Sequence, residues 1–109
     1  MNELKEITNA LLTFRNERDW QQFHNPKDLA VGLSIEASEL LESFLWKQAS
    51  EANPTKIREE LADVLAYAFL LADHYQLNVK EIVLEKIAMN AKKYPIEKAK
   101  GNAKKYTEL

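Results

Sequence analysis

The 109-residue sequence contains no cysteine, only two glycines and three prolines, and no apolar run approaching 18 residues. Without cysteine there is no disulfide, no thiolate zinc site and no cysteine nucleophile. So few turn formers exclude an all-β fold built from hairpins, and equally a collagenous or low-complexity chain. The missing apolar run, together with the absence of a basic stretch ahead of an apolar one, predicts a soluble, cytoplasmic protein with no membrane partner. What is present is 46% hydrophobic and 29% charged residues, enough to build a core and remain in solution, and this argues against disorder. The length predicts a single domain over residues 1–109, the last part of which, 96–109, is a basic C-terminal segment.

A formal net charge of −2 carries no nucleic-acid footprint, but it hides an asymmetry. Residues 1–85 hold 8 Lys/Arg against 15 Asp/Glu, and residues 86–109 hold 7 Lys against 2 Glu. This reads either as a solvated basic tail or as an acidic, cation-binding site beside a basic segment that faces phosphates.

Helical periodicity covers most of the chain and predicts an all-α fold. Leu4, Ile7, Leu11 and Phe14 form one stripe of a first helix over about 3–18. Asp19 to Asn25 breaks the rhythm and reads as a loop. Asn25-Pro26 supplies an N-cap and a first helical position where proline's missing N–H costs nothing, starting a second helix over about 26–48. Asn53-Pro54 repeats the device for a third, to about 75. Asn78 with Glu81 three residues on is a capping-box start for a fourth, which Tyr94-Pro95 ends. For Ile96 to Leu109 a short helical turn and a mobile tail both remain open. The run LADVLAYAFLLA (61–72) is apolar around the whole cylinder and must be covered on nearly all sides, which predicts a homodimer or higher assembly with this helix near the centre.

Helix two carries carboxylates on the wrong face. At 100° per residue Glu36 falls inside the stripe of Leu29, Leu33, Leu40 and Phe44, Glu39 falls at its edge, and Glu42 falls on the opposite, solvated side. Burying a carboxylate without a partner costs several kcal/mol, so Glu36 needs a cation, a metal or a proton. On helix three Glu60, Asp63 and Tyr67 share one flank of the stripe formed by Ile57, Leu61, Val64, Ala68 and Leu71, whereas Glu59 points elsewhere. Two antiparallel helices bring Glu36/Glu39 to face Glu60/Asp63, and four crowded carboxylates call for divalent cations. All-oxygen ligation suits Mg²⁺, with Mn²⁺ as a substitute. The competing reading pairs these acids with Lys56 on the same flank and with Arg18 from helix one. A di-iron carboxylate bundle is excluded, because Gln21 and Leu71 stand three residues before His24 and His74, where Glu is required.

Lys86, Asn90 and Lys93 follow at i, i+4 and i+7 on helix four, two cations and an amide of the kind a metal-bound polyphosphate needs. Phe14, Phe44 and Phe69 fit helix stripes and read as core. Trp20 and Phe23 lie in the loop and Trp46 at the end of helix two; flat rings there suit either an interface or a stacked nucleobase. His24 reads as a loop hydrogen-bonder or as a contact to the ligand.

Taken together, EASE (36–39) and ELAD (60–63) resemble the ExxE…ExxD signature of the MazG-like nucleoside triphosphate pyrophosphohydrolases. RDWQQFHNPKDLAVGLSIEASELLESFLWK (18–47) resembles the first half of the family's dCTP pyrophosphatase branch, and KIAMNAKKYP (86–95) resembles its fourth-helix motif. ExxE…ExxD alone is weak; W-x-x-F-H-x-P, F-x-W and N-x-x-K-Y-P beside it make the match specific. The resemblance implies a four-helix-bundle-like core completed by dimerisation, as a dimer or a dimer of dimers. It implies Mg²⁺-dependent hydrolysis of a nucleoside triphosphate, usually a deoxynucleotide, to the monophosphate and pyrophosphate. It implies Glu36, Glu39, Glu60 and Asp63 as metal ligands and Trp20, Trp46, Tyr67 and Asn90 at the base, beside which His24 is a further candidate for contact with the nucleotide. Lys86 and Lys93 are then the phosphate contacts, and Glu39, at the edge of the stripe, is the acid that orients or deprotonates water. Some members present a histidine from the first helix towards the nucleotide; this first helix has none, which leaves the preferred base open. The alternatives are an enzyme acting on several or modified triphosphates, and a non-catalytic helical interaction module.

Overall fold

The computed structural model describes residues 2–109, which form five α-helices and three short 3₁₀ turns, with no strand among the described residues. Helices α1 (Glu3–Glu17), α2 (Pro26–Glu42), α3 (Pro54–His74) and α4 (Val79–Lys93) are the long ones, and α5 (Ile96–Ala99) is a single turn. Each long helix begins at an asparagine whose side chain accepts a backbone N–H that the helix itself leaves unpaired. Asn2 accepts from Lys5, Asn25 from Asp28, Asn53 from Thr55 and Asn78 from Glu81, at 2.8–2.9 Å. Pro26 and Pro54 occupy the first turn, as expected. No described helix is long and apolar enough to cross a membrane.

The chain divides into two compact units, one ending at Leu77 and one running from Asn78 to Leu109. In the first, α2 and α3 pack against each other and α1 lies on α3. Its small core is Leu29, 1% exposed, with Phe69, Leu70 and Ala72. In the second, α4 leads into α5, and a final turn at Tyr106–Glu108 sets Tyr106 edge-on to Tyr94, ring centroids 6.0 Å apart. The segment after Pro95 therefore holds helical turns.

Three expectations need correction. Helix α2 stops at Glu42, not near 48. From Ser43 onward the backbone bonds span three residues (Ser43 to Leu40, Phe44 to Leu41, Leu45 to Glu42), the Ser43 hydroxyl donates back to the Glu39 carbonyl, and Trp46 adopts φ +64°. Tighter bonding and serine back-bonding weaken the last turn, and a left-handed residue ends it. Phe14 is half-exposed, not core: its face carries the Arg18 guanidinium at 3.7 Å and its edge meets Trp20 at 5.8 Å. Ile7 is also half-exposed, so the covered side of α1 is turned towards Leu4, Thr8, Leu11 and Leu12. On α3, Leu61 and Leu65 remain 45% and 47% exposed, while Phe69, Leu70 and Ala72 are buried.

Candidate functional site

The antiparallel packing of α2 on α3 places Gly32 against Tyr67, Glu36 against Glu60 and Asp63, and Glu39 and Ser43 beside Lys56 and Glu60. Glu36, Glu60 and Asp63 each offer a carboxylate oxygen, and these oxygens lie within 4.8 Å of one another. Glu60 is buried, Glu36 half-buried and Asp63 exposed, so the cluster is closed at its base and open to solvent on one side. A cleft of about 460 Å³ beside it is lined by Glu39 from α2, by Ser43 just past its end, and by Lys56 and Glu60 from α3.

Two of the three carboxylates are incompletely satisfied. Oε2 of Glu36 and Oε2 of Glu60 are both buried with no hydrogen-bond partner among the described residues. A buried, unpaired carboxylate oxygen is costly and marks a place where a cation or a proton belongs. Glu60 has a partial answer in Lys56, whose Nζ lies 2.9 Å from Oε1, an i,i+4 pair that also raises the lysine above its usual range. Glu36 has no cationic partner among the described residues. A hydrogen bond with Glu39, then burial, then the charges of Glu39, Asp63 and Glu60 push its carboxyl up to about 7. The lift means that Glu36 releases its proton reluctantly while no cation neutralises the cluster. Carboxylate oxygens converging at this spacing, two of them buried and unpartnered, fit a hard divalent cation.

The competing cation-pair reading holds for one acid only. Lys56 does pair with Glu60, but Arg18 turns away, donating to the Phe14 carbonyl at 2.9 Å and approaching Glu17 at 3.8 Å. Glu39 stands beside Glu36 and lines the cleft, outside the group of three oxygens that converge.

The aromatic candidates fall into separate settings. Tyr67 is half-buried, one helical turn beyond Asp63, with the His24 ring 6.4 Å away at 53°. Nδ1 of His24 is buried without a partner, and burial, then the Arg15 charge, lowers the imidazole below its usual range. Trp20 is half-exposed against Phe14, and Trp46 is 100% exposed. Lys86, Asn90 and Lys93 all lie on α4 in the second unit, where the ammonium of Lys93 sits 4.9 Å from the Tyr106 ring. Sequence reasoning passed over two residues that border the site. Ser43 is buried in the cleft, and nothing in its spacing marks it. Gly32 faces Tyr67, and its signal was legible: a lone glycine inside a helical pattern.

Comparison with known proteins agrees with this geometry. Residues 31–109 match the MazG-like family. Curated relatives include dCTP pyrophosphatase 1 of Mus musculus, 37% identical over 92 residues, and that of Homo sapiens, 38% identical over 92 residues. Each alignment covers 77% of this chain and 54% of the relative, so the chain spans about half the length of the curated relatives it matches. Among solved structures, a pyrophosphatase from Archaeoglobus fulgidus superposes with a TM-score of 0.81 at 39% identity, covering 87% of this chain and 94% of that one. The paired acidic motifs on two antiparallel helices, the match over most of the chain and the shared all-α fold lead to one assignment: the chain belongs to the MazG-like family.

Proposed function

We propose that the protein is a nucleotide pyrophosphohydrolase that cleaves a nucleoside triphosphate, with dCTP-like deoxynucleotides first in line, to the monophosphate and pyrophosphate. The observation that carries this reading is the convergence of Glu36, Glu60 and Asp63 within 4.8 Å with two buried, unpartnered oxygens. The relatives named as dCTP pyrophosphatase and the neighbour named as a pyrophosphatase support the same reaction class.

In this reading Glu36, Glu39, Glu60 and Asp63 hold Mg²⁺, or Mn²⁺ in its place. Bound there, the ion neutralises charge developing on the phosphates and acidifies a water molecule. The chain's own residues do the rest. Glu39, at the rim of the cluster and lining the cleft, orients and deprotonates the water that attacks the α-phosphorus in line. The bond to the bridging oxygen of the β-phosphate breaks and pyrophosphate leaves. Lys56, paired with Glu60 at 2.9 Å, holds that carboxylate aimed at the cluster. Trp20, His24, Trp46 and Tyr67 supply surfaces for the base; Asn90 joins them, and Lys86 and Lys93 contact phosphate, on the strength of the fourth-helix motif alone. The half-exposed apolar pairs Val31/Ile35 on α2 and Leu61/Leu65 on α3 support a homodimer or a dimer of dimers, and a soluble nucleotide substrate suits the cytoplasm.

The test is a panel of canonical and modified NTPs and dNTPs with Mg²⁺, read by pyrophosphate release. Metal-dependent release that Asp63→Asn abolishes is the expected outcome. Release that persists in EDTA or in Asp63→Asn refutes the metal site, and no release from any nucleotide returns the chain to the class of interaction modules. The same panel separates a dCTP-like preference from broad or modified-nucleotide specificity.

A further inference from the structure

Gly32 sits in the interior of α2, where glycine is a poor choice: it is the most flexible residue in the unfolded chain and contributes no side-chain packing. Its backbone is ordinary right-handed helix, so the conformational freedom of glycine is not being used there. What is used is the missing side chain. A Cβ placed on Gly32 would collide with the ring of Tyr67, closest to Cε1, 2.7 Å from Cζ and 2.8 Å from Cδ1. All three nearest atoms belong to that ring and none to the backbone of α3. The glycine therefore makes room for one aromatic ring; it does not serve to bring the two helices closer.

The ring it admits stands in a telling position. Gly32 precedes Glu36 by one helical turn and Tyr67 follows Asp63 by one turn, so ring and glycine form the next layer above the carboxylate cluster. The Tyr67 ring rests against bare α2 backbone on one side and has the His24 ring nearby, and its hydroxyl makes no hydrogen bond to another described residue. Tyr67 is half-buried, so part of its ring stays accessible, and a flat accessible ring suits a planar ligand.

We infer that Gly32 is a positioning residue for the nucleotide: by lacking a Cβ it seats Tyr67 against α2 and so sets the width of the space above the carboxylates that receives the base. This rests on the nucleotide reading given above. A methyl group at 32 needs ordinary carbon–carbon contact of about 3.5–4.0 Å, so the ring must retreat by about 1 Å into that space.

Steady-state kinetics of wild type, Gly32→Ala, Tyr67→Leu and the double variant test it, using the best nucleotide of the panel and inorganic tripolyphosphate, which has no base, as a competitive inhibitor. Gly32→Ala is expected to raise KM for the nucleotide about tenfold, to lower kcat far less, and to leave tripolyphosphate inhibition unchanged. In the Tyr67→Leu background the alanine finds no ring to displace, so KM stays where Tyr67→Leu alone puts it. An unchanged nucleotide KM, equal weakening of nucleotide and tripolyphosphate, or additive effects in the double variant overturns the inference while the pyrophosphohydrolase reading stands. Absence of turnover in the wild type removes that reading and this inference together.

Discussion

Replacing Glu36 by glutamine is expected to stabilise the metal-free protein at alkaline pH while abolishing the proposed pyrophosphate release. The reasoning starts from three carboxylate oxygens held within 4.8 Å. Two unit charges that far apart repel by about 3.5 kcal/mol at an effective dielectric constant near 20, and Glu36 faces two such neighbours with no cation of its own. The lift of its carboxyl from 4.5 to about 7 has the same sign. At about 1.4 kcal/mol per pH unit that lift caps the cost of ionising Glu36 near 3 kcal/mol, and screening of a partly exposed group brings it to about 1–2 kcal/mol. A folded-state value above the unfolded one means the proton favours the folded state. The associated stability is in full present below pH 4.5 and is lost as pH rises through 7. Glutamine donates to Glu39 as the protonated acid does, at every pH. Thermal unfolding in EDTA at pH 8 should therefore show Glu36→Gln melting higher than wild type by several degrees, at about 4–8 °C per kcal/mol for a domain of this size. At pH 5 the gap should nearly close. On adding millimolar Mg²⁺ at pH 8 the order should reverse, because only wild type gains binding energy. A variant no more stable than wild type at pH 8, or a gap of equal size at both pH values, refutes the picture of a strained carboxylate cluster relieved by a cation.

Two further outcomes follow from packing. Leu29 is only 1% exposed, so Leu29→Ala should cost about 2–5 kcal/mol in urea unfolding; a loss under 1 kcal/mol would place the core elsewhere. Sedimentation velocity at micromolar concentration should find a dimer or larger species, held by the apolar surface of α2 and α3, and a clean 12.6 kDa species would show that a single chain suffices.

Helix starts were legible because capping is local. Asn25-Pro26, Asn53-Pro54 and Asn78 act within four residues, and no distant contact has to agree with them. The end of α2 was not legible, because apolar periodicity continues through Phe44 and Leu45 while the hydroxyl of Ser43 and the backbone of Trp46 unwind the turn. The stripe on α1 was read one step off for a related reason. Periodicity locates an apolar face but not which edge of it a neighbour will cover, and here Phe14 went to Arg18 and Trp20.

The site divides in the same way. Sequence alone determined that Glu36 lies on a buried stripe and that Glu60 and Asp63 share a flank, because helical geometry converts spacing into direction without reference to any partner. It also determined the all-α class and, through paired motifs over most of the chain, the MazG-like family. Only the tertiary structure decided that Glu36, Glu60 and Asp63 converge while Glu39 stands beside them, and that Gly32 is the seat of Tyr67. Those choices depend on the register of α2 against α3. Register depends on which side chains of two distant segments are buried together, Leu29 being buried on α2 and Phe69 and Leu70 on α3, and no local pattern encodes it.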